Sequence, residues 1–270
     1  NEKPGIIDHE GKIRDLSSHI PDINGNSINS ESLKKIGAID LSTLPIVSND
    51  TRLGACVGNV GKFLCIGLNY SDHAAESGLP VPSEPILFSK ATSAIVGPND
   101  NVEIPRNSSE TDWEVELGII IGKKAKYINE DEAEEYIAGY CVVNDVSERA
   151  FQIKREGQWT KGKSCDTFGP TGPYLVTKDE IPDVQNLKMY LDVNGKRMQD
   201  GSTNTMIFSA KHIVYYLSQF MSLNPGDVIA TGTPPGVGLG MKPPVFLNAG
   251  DTMKLGIEGL GEQNQICIQG

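Results

Sequence analysis

Short apolar runs separated by turn residues are the feature of this sequence that most restricts its fold. From residue 62 onward, these runs alternate with Gly-Pro, Asn-Gly, Pro-Gly and Ala-Gly pairs. Such runs are typical of strands, since an amphipathic helix needs a longer stretch with a period near 3.6. A content of 29 Gly and 16 Pro in 270 residues also favours strands and turns over a helical bundle. The predicted strands are Phe63–Leu68, Trp113–Ile121, Tyr140–Asn144, Tyr174–Val176, Lys188–Val193, Asp227–Thr231 and Thr252–Ile257.

Helical periodicity is confined to a few segments of this region. It predicts helices at Glu130–Ile137, Ser147–Arg155 and Ala210–Phe220. The Asn194-Gly195 pair between two apolar runs predicts a tight hairpin. We therefore predict a mostly β fold with accessory helices, an α+β protein.

The first segment of the chain reads as a separate, small α/β module. Gly5–Asp8 and Ile13–Leu16 flank a His-Glu-Gly-Lys turn and predict a hairpin. A short helix is expected at Asn29–Ile36, with Ser30 as its cap and Gly37 ending it. We predict a boundary near residue 58, with a module at 1–58 and the main domain at 59–270.

Charge and cysteine content exclude several classes of function. Lys and Arg total 24 against 35 Asp and Glu, a formal charge of −11, without a basic run. Such a chain repels nucleic acids and anionic membranes, and no apolar stretch approaches the length of a membrane span. The five cysteines form no Cys-x-x-Cys pair and suit a reducing cytoplasm. The sequence does not begin with Met, so targeting signals cannot be read from its start.

Two glutamates in the most apolar stretch of the sequence are candidate metal ligands. Glu114 and Glu116 share one face of the predicted strand because successive side chains alternate. A solvated face is the commoner arrangement for a Glu-x-Glu strand, but this strand continues into Gly-Ile-Ile-Ile and is expected to be buried. Two carboxylates ~6 Å apart would repel by about 3 kcal/mol at an effective dielectric near 20. A divalent cation is the simplest way to keep both ionised.

A third acid, Asp145, follows the apolar run Tyr140–Val143, where a strand opens into a loop. An Asp in this position is more often a helix cap or a turn residue. Together with Glu114 and Glu116, however, it would complete an all-oxygen ligand set without Cys or His. Such a set suits Mg²⁺ or Mn²⁺ rather than zinc.

Two further motifs carry chemistry. Gly157–Ser164 matches the P-loop pattern, but no buried strand precedes it and no helix can follow it, so a nucleoside triphosphate site is not expected. His73 and Glu76 lie three residues apart in a predicted two-turn helix between Ser71, a possible cap, and Gly78. The Glu76 carboxylate could orient the imidazole as a general base, and so short a helix could act as a lid. The alternative is a surface histidine beside an acid by chance.

In combination, these segments resemble the fumarylacetoacetate hydrolase family. The matching motifs are Ile66–His73, Asp112–Leu117, Asn144–Gln152, Gly162–Ser164 and Pro225–Gly238. The resemblance implies a mixed β-sandwich roll, a homodimer, and Mg²⁺, Mn²⁺ or Ca²⁺ as cofactor. It implies metal ligands at Glu114, Glu116 and Asp145, a catalytic lysine at Lys163 and a catalytic dyad at His73 and Glu76. It also implies substrate contacts at Arg149, Gln152 and Thr233.

The resemblance implies hydrolysis of a C–C bond in a small 2,4-dioxo acid, an acylpyruvate or a 2,4-diketo-3-deoxy sugar acid. The motifs resemble most the bacterial sugar-acid hydrolases and the ureidoglycolate-lyase group. The same kind of site also serves isomerases, oxaloacetate decarboxylases and ureidoglycolate lyases, since function depends on the site and not on the fold. The remaining alternative is a dimeric binding module without catalytic activity.

Overall fold

The computed structural model describes residues 2–48, 50–78 and 80–270, and it confirms a mostly β fold with few helices. The strands are β1 Gly5–Ile7, β2 Ile13–Asp15, β3 Phe63–Gly67, β4 Ile86–Lys90, β5 Ile95–Val96, β6 Val102–Ile104, β7 Thr111–Asp112, β8 Val115–Ile121, β9 Ile137–Asn144, β10 Ser147–Glu148, β11 Gly169–Thr177, β12 Lys188–Val193, β13 Lys196–Ser202, β14 Val228–Ala230, β15 Thr252–Ile257 and β16 Gly261–Gln269. The α-helices are α1 Ser30–Gly37, α2 Ser71–Ser77, α3 Arg149–Ile153, α4 Thr160–Lys163 and α5 Ala210–Ser218. The 3₁₀ helices are Leu41–Thr43, Thr92–Ala94, Glu130–Tyr136, Lys178–Glu180, Val184–Asn186, Thr203–Thr205 and Gly238–Gly240.

Two large sheets form the body of the protein. A seven-stranded mixed sheet has the order β4-β3-β14-β8-β9-β11-β5, and a five-stranded sheet has the order β13-β12-β15-β16-β6. The two sheets pack face to face, and their facing side chains form the main core. The sites at which strands of the seven-stranded sheet end are therefore held rigidly.

β8 lies near the middle of the seven-stranded sheet and is buried along its whole length. Leu117 and Ile119 join the core between the two sheets, whereas Ile120 joins a second cluster on the opposite face. This arrangement follows from the alternation of side chains along a strand. It explains why the apolar stretch after Glu116 has no polar position.

Two of the predicted helices are wrong in part. Glu130–Tyr136 is a 3₁₀ helix, and Ile137 belongs to β9, where it pairs with Ile121. The acidic run places like charges four residues apart, which disfavours an α-helix. Ser147 and Glu148 form β10, paired with Asp112 and Thr111 in β7, so the helix begins only at Arg149.

The N-terminal segment contains the predicted hairpin, β1 and β2, and the predicted helix α1. Asn29 and not Ser30 caps that helix, because the Asn29 side chain accepts a hydrogen bond from the backbone N–H of Ser32 at 2.9 Å. Ile28 packs into the second cluster, which covers the outer face of the seven-stranded sheet. The domain boundary near residue 58 stays a prediction.

None of the helices in the described part of the chain combines the length and the apolar character that crossing a membrane requires.

Candidate metal centre and active site

The register of two adjacent strands brings the three predicted metal ligands together. β8 and β9 are antiparallel, with Val115 opposite Asn144, so the start of β8 lies beside the end of β9. The Asp145 N–H donates to the Glu114 carbonyl oxygen at 2.9 Å. Glu114, Glu116 and Asp145 each offer a carboxylate oxygen, and these atoms lie within 4.8 Å of one another. We call these three residues the carboxylate triad.

All three residues of the carboxylate triad are buried, with 6%, 2% and 0% of Glu114, Glu116 and Asp145 exposed. The solvated face that is commoner for a Glu-x-Glu strand is therefore not the arrangement found here. Asp145 does not cap α3 either, because Glu148 accepts the hydrogen bond from the Ala150 N–H. Burial of three acids together requires compensating positive charge.

Three buried cations supply part of that charge. The Lys163 ammonium lies 2.7 Å from Glu114 Oε2 and 2.7 Å from Asp145 Oδ2. Lys90 Nζ lies 2.6 Å from Asp145 Oδ1, and Arg149 Nη2 lies 2.6 Å from Glu114 Oε1. Among the described residues, Glu116 has no ion-pair partner, and its Oε2 accepts a hydrogen bond from the Gly232 N–H at 2.8 Å.

Because their partners differ, the pKa values of Glu114 and Glu116 are shifted in opposite directions. Burial, followed by the negative charges of Asp145 and Glu114, raises the pKa of Glu116 well above its usual range. Burial also acts to raise the pKa of Glu114, but the charges of Lys163 and Arg149 outweigh it and lower that pKa to about 2. One member of the triad therefore needs a further cation to stay ionised.

The carboxylate triad fits a hard divalent cation. It offers oxygen ligands only, its ligand atoms are close together, and its member Glu116 has no cationic partner among the described residues. Glu114, Glu116 and Asp145 would hold such an ion. Its assignment as Mg²⁺, Mn²⁺ or Ca²⁺ stays a prediction.

The raised pKa of Glu116 leads to a pH-dependent effect of metal on stability. The folded protein favours protonated Glu116, so this contribution to stability is present below about pH 4.5, the group's ordinary pKa, and is lost as the pH rises through the raised value. Mn²⁺ requires the ionised form. We expect the increase in Tm on replacing EDTA by Mn²⁺ to grow between about pH 5 and about pH 8. An increment independent of pH would contradict this expectation, and Glu116→Gln should remove the increment altogether.

Lys163 comes close to the carboxylate triad because of the glycine before it. A side chain at Gly162 would lie 2.4 Å from the Glu148 carbonyl oxygen and 2.5 Å from the Gln152 nitrogen, so α4 packs closely on the start of α3. Burial acts to lower the pKa of Lys163, but the charges of Asp145 and Glu114 dominate and raise it above its usual value. Lys163 is therefore a fixed positive charge that donates hydrogen bonds to Glu114 and Asp145, and Gly162 allows the close packing of α4 on α3.

The His73–Glu76 dyad forms on α2, as the spacing predicted. His73 Nδ1 lies 3.1 Å from Glu76 Oε2, and the two side chains are 12% and 27% exposed. Gly78, in the left-handed region at φ 64°, ends the helix. Ser71 is not its cap, because Ser71 is the first helical residue and Tyr70 precedes it without a capping hydrogen bond. The Glu76 carboxylate also accepts a hydrogen bond from the Gly236 N–H at 3.1 Å.

The predicted substrate contacts are buried and engaged in hydrogen bonds. Arg149 donates to Asp112, Glu114 and Gln152, the last through Nη1 to Oε1 at 3.1 Å. Thr233 donates to the Val115 carbonyl oxygen at 2.8 Å and accepts from Gln199 at 2.8 Å. Arg149 thus contacts the carboxylate triad directly, Gln152 contacts Arg149, and Thr233 contacts the backbone between Glu114 and Glu116. Their contact with substrate stays a prediction.

Two buried charged residues of the candidate site were not predicted from the sequence, Lys90, which pairs with Asp145, and Asp112, which pairs with Arg149. Lys90 ends the apolar strand β4 and is 3% exposed, and Asp112 pairs with Arg149 in complete burial. A charged residue ending an apolar run, the signal that indicated Asp145, also describes Lys90. Nothing local distinguishes Asp112 from an ordinary turn residue.

Lys90 is expected to contribute strongly to stability, because removing one partner of a buried pair leaves an uncompensated charge. Lys90→Met should lower the free energy of unfolding in EDTA by about 3 kcal/mol, measured by urea denaturation. Lys62→Met is the matched control, since Lys62 pairs with the buried Asp227 at 2.6 Å but its own side chain is 28% exposed. Equal losses in the two variants would contradict the expectation.

The packed sheets carry three buried carboxylates that could hold a metal ion, a lysine paired with two of them and a His–Glu pair, a set of groups typical of a metal-dependent enzyme. Residues 62–266 match the profile described as fumarylacetoacetate (FAA) hydrolase C-terminal. A protein of Burkholderia orbicola is 62% identical to this chain, over 98% of this chain and 94% of its own length. Its name, "Putative hydrolase", gives no substrate. The chain belongs to the fumarylacetoacetate hydrolase family.

Solved structures agree with this membership. The fumarylacetoacetate hydrolase of Exiguobacterium antarcticum has a TM-score of 0.87 and 36% identity, covering 99% of this chain and 95% of its own. Maleylpyruvate hydrolase from Sphingobium sp. SYK-6, in complex with manganese(II) and pyruvate, has a TM-score of 0.83 and 28% identity, covering 99% and 96%. A 5-carboxymethyl-2-hydroxymuconate delta-isomerase from Mycobacterium smegmatis has a TM-score of 0.69 and 33% identity, covering 85% and 82%. The family thus includes both hydrolases and isomerases.

Proposed function

We propose that this protein is a divalent-metal-dependent hydrolase that cleaves the C–C bond of a 2,4-dioxo acid and releases pyruvate or a related 2-oxo acid. The observation that carries the proposal is the buried carboxylate triad with a protonated lysine against it, Lys163 Nζ lying 2.7 Å from Glu114 and from Asp145. The manganese and pyruvate in the maleylpyruvate hydrolase complex support this reading of the site. Mg²⁺ is the metal we propose for this chain, with Mn²⁺ or Ca²⁺ as alternatives.

The charge of the site favours an anionic substrate. Lys90, Arg149 and Lys163 are three cations among four buried carboxylates, Asp112, Glu114, Glu116 and Asp145, so one negative charge is left over when all four acids are ionised. A bound divalent cation would reverse the sign of that excess and would supply a Lewis acid for the carboxylate and 2-oxo groups. A small 2-oxo acid has the matching charge.

The dyad supplies the base for hydrolysis. His73 Nδ1 faces Glu76, which leaves Nε2 to accept a proton from water as the water oxygen adds to the distal carbonyl. The bond between that carbonyl carbon and the neighbouring methylene then breaks, and the electron pair leaves as the enolate of the 2-oxo acid. Lys163 lies at the triad to stabilise the enolate oxygen, and the proton on His73 returns to the leaving carbon.

An isomerase or a decarboxylase on the same site is the alternative, and the M. smegmatis isomerase shows that the fold accommodates one. The His73–Glu76 dyad favours hydrolysis, because a base poised to activate water is not needed for decarboxylation. An acylpyruvate or a diketo sugar acid is the substrate class we propose. We further propose that the protein forms a homodimer. We also propose that it works in the cytoplasm, because its five free cysteines suit a reducing compartment.

A turnover assay tests the function. Acetylpyruvate, a diketo-deoxy sugar acid, oxaloacetate and ureidoglycolate would each be incubated with the protein in Mg²⁺ and in EDTA. Loss of the enol absorbance together with one equivalent of pyruvate from acetylpyruvate, only with metal, would support hydrolysis. Pyruvate from oxaloacetate alone would point to the decarboxylase, and no turnover of any substrate would point to a binding module.

A further inference from the structure

We infer that Asp112 is a positioning residue that connects the carboxylate triad to the segment holding the His73–Glu76 dyad. The inference rests on the proposed function, because that function requires the metal held by the carboxylate triad and the base His73 to act on the same substrate. Asp112 makes no hydrogen bond or ion pair with the carboxylate triad or with His73 and Glu76. It acts through Arg149 on one side and through the backbone of Gly236–Gly240 on the other, which we call the glycine segment.

On the metal side, Asp112 orients the guanidinium of Arg149. Asp112 is completely buried, and its Oδ2 accepts a hydrogen bond from Arg149 Nε at 2.8 Å. The same guanidinium reaches Glu114 Oε1 through Nη2 at 2.6 Å. A guanidinium is rigid and planar, so fixing its Nε edge also fixes the direction of Nη2. The position of the Glu114 carboxylate therefore depends on Asp112.

On the dyad side, Asp112 holds the backbone of the glycine segment. Its Oδ1 accepts from the Gly238 N–H at 2.7 Å, and its Oδ2 accepts from the Leu239 N–H at 3.0 Å. Both donors lie in the 3₁₀ turn Gly238–Gly240. A carboxylate has enough acceptor sites for these bonds and for Arg149 at once.

The glycine segment in turn holds Glu76. The Gly236 N–H donates to Glu76 Oε1 at 3.1 Å, and a side chain at Gly240 would come within 3.0 Å of Glu76 Oε2. Gly236 has a φ of 102°, which only glycine adopts without strain, and the Trp113 indole N–H donates to its carbonyl oxygen at 3.1 Å. Movement of this segment would therefore move the carboxylate that orients His73.

A second connection begins at Glu116. Its Oε2 accepts from the Gly232 N–H, and the chain reaches the glycine segment four residues later. The segment is therefore anchored to the triad at Glu116 and, through Asp112 and Arg149, at Glu114. A cation that fixes both glutamates should fix the segment as well.

Replacing Asp112 by asparagine would break this connection with little change in volume. An amide offers one acceptor oxygen instead of two, so either the Gly238 and Trp113 N–H groups, or Arg149 and the Leu239 N–H, lose their acceptor. Asp227→Asn is the matched control, because Asp227 is also buried, also pairs with a cation and also accepts backbone N–H bonds, from Lys62 and Asn224. Asp227 lies just before β14, and its carbonyl oxygen accepts a hydrogen bond from the Ile121 N–H. Ile121 ends β8, whereas Glu116 lies near the start of that strand, so Asp227 is at the other end of β8 from the carboxylate triad.

The experiment measures Mn²⁺ binding by calorimetry and hydrogen exchange of the glycine segment with and without Mn²⁺. In the unaltered protein, Mn²⁺ should slow exchange of the segment at least about 10-fold. In Asp112→Asn, Mn²⁺ affinity should fall about 10- to 100-fold, as for other residues that orient a metal ligand. Even at saturating Mn²⁺, the metal should no longer slow exchange of the glycine segment in Asp112→Asn. Asp227→Asn should keep both the Mn²⁺ affinity and the slowing of exchange.

A milder variant covers the case in which Asp112→Asn does not fold. Leu239→Pro removes a single N–H donor to Asp112, in a residue whose side chain is 38% exposed, and Leu239→Ala keeps that N–H. Loss of the Mn²⁺-linked slowing in the proline variant, and its retention in the alanine variant, would support the inference. Slowing that persists in both Asp112→Asn and Leu239→Pro, or that vanishes equally in Asp227→Asn, would overturn it. Neither measurement requires turnover, so a protein inactive on every 2-oxo acid would refute the proposed reaction without deciding this point.

Discussion

Replacing Glu116 by glutamine is expected to abolish metal binding and turnover together. Glu116 is the only member of the carboxylate triad without an ion-pair partner among the described residues, so its charge is the one that a divalent cation must balance. A neutral amide in that place leaves the other two acids to Lys90, Arg149 and Lys163. We expect kcat/KM to fall at least about 10³-fold, because the cation stabilises charge in the transition state by several kcal/mol.

The measurement combines Mn²⁺ calorimetry with the pyruvate assay on one protein sample. Glu103→Gln is the matched control, since Glu103 lies on strand β6 and points to solvent. The control should leave both the metal affinity and the rate unchanged. Turnover by Glu116→Gln in the presence of a chelator would rule out the metal-dependent mechanism.

Replacing His73 by alanine is expected to remove the general base and leave the metal site intact. The rate should fall about 10²- to 10⁴-fold in kcat, the usual contribution of a positioned base. Mn²⁺ affinity should stay unchanged, because the His73 side chain pairs with Glu76 and has no hydrogen bond or ion pair with the carboxylate triad among the described residues. Glu76→Gln should lower kcat by a smaller factor, since it leaves the imidazole present but less well oriented and without its charged partner.

His212→Ala is the matched control for this prediction. His212 also lies on a helix with its Nδ1 3.2 Å from a glutamate, Glu130, and its side chain is 30% exposed. It should retain full activity. If His73→Ala kept its rate on acetylpyruvate, the assignment of His73 as the general base would be wrong.

Much of the fold could be predicted because it depends on local patterns. Strands β12 and β15 and the Asn194-Gly195 hairpin lie where periodicity and turn residues placed them. The predicted elements were wrong where pairing with a strand distant in sequence determined the local structure. Ser147 and Glu148 look helical in isolation, but strand β7 pairs with them, and Ile137 leaves the acidic helix because β8 offers it a partner.

The candidate site divides in the same way. Glu114 lies just before β8, which is shorter than the predicted strand, and Glu116 lies within it; both carboxylates reach one site because side chains alternate along extended backbone. Asp145 follows the end of its apolar run, so local patterns were enough to identify the three acids. His73 and Glu76 likewise follow from helical spacing. Each of these relations spans a few residues, and covalent geometry alone enforces it.

The cations that meet those acids, and the segment that connects the acids to the dyad, come from parts of the chain that are far apart in sequence. Lys90 and Asp145 are 55 residues apart in sequence, and Gly232 lies 116 residues beyond Glu116. Such contacts depend on sheet order and on the close approach of loops, for which the local pattern carries no signal. A buried charge must be paired because its desolvation is costly. The partner available to it depends on how the whole chain packs, and a short stretch of sequence does not show this.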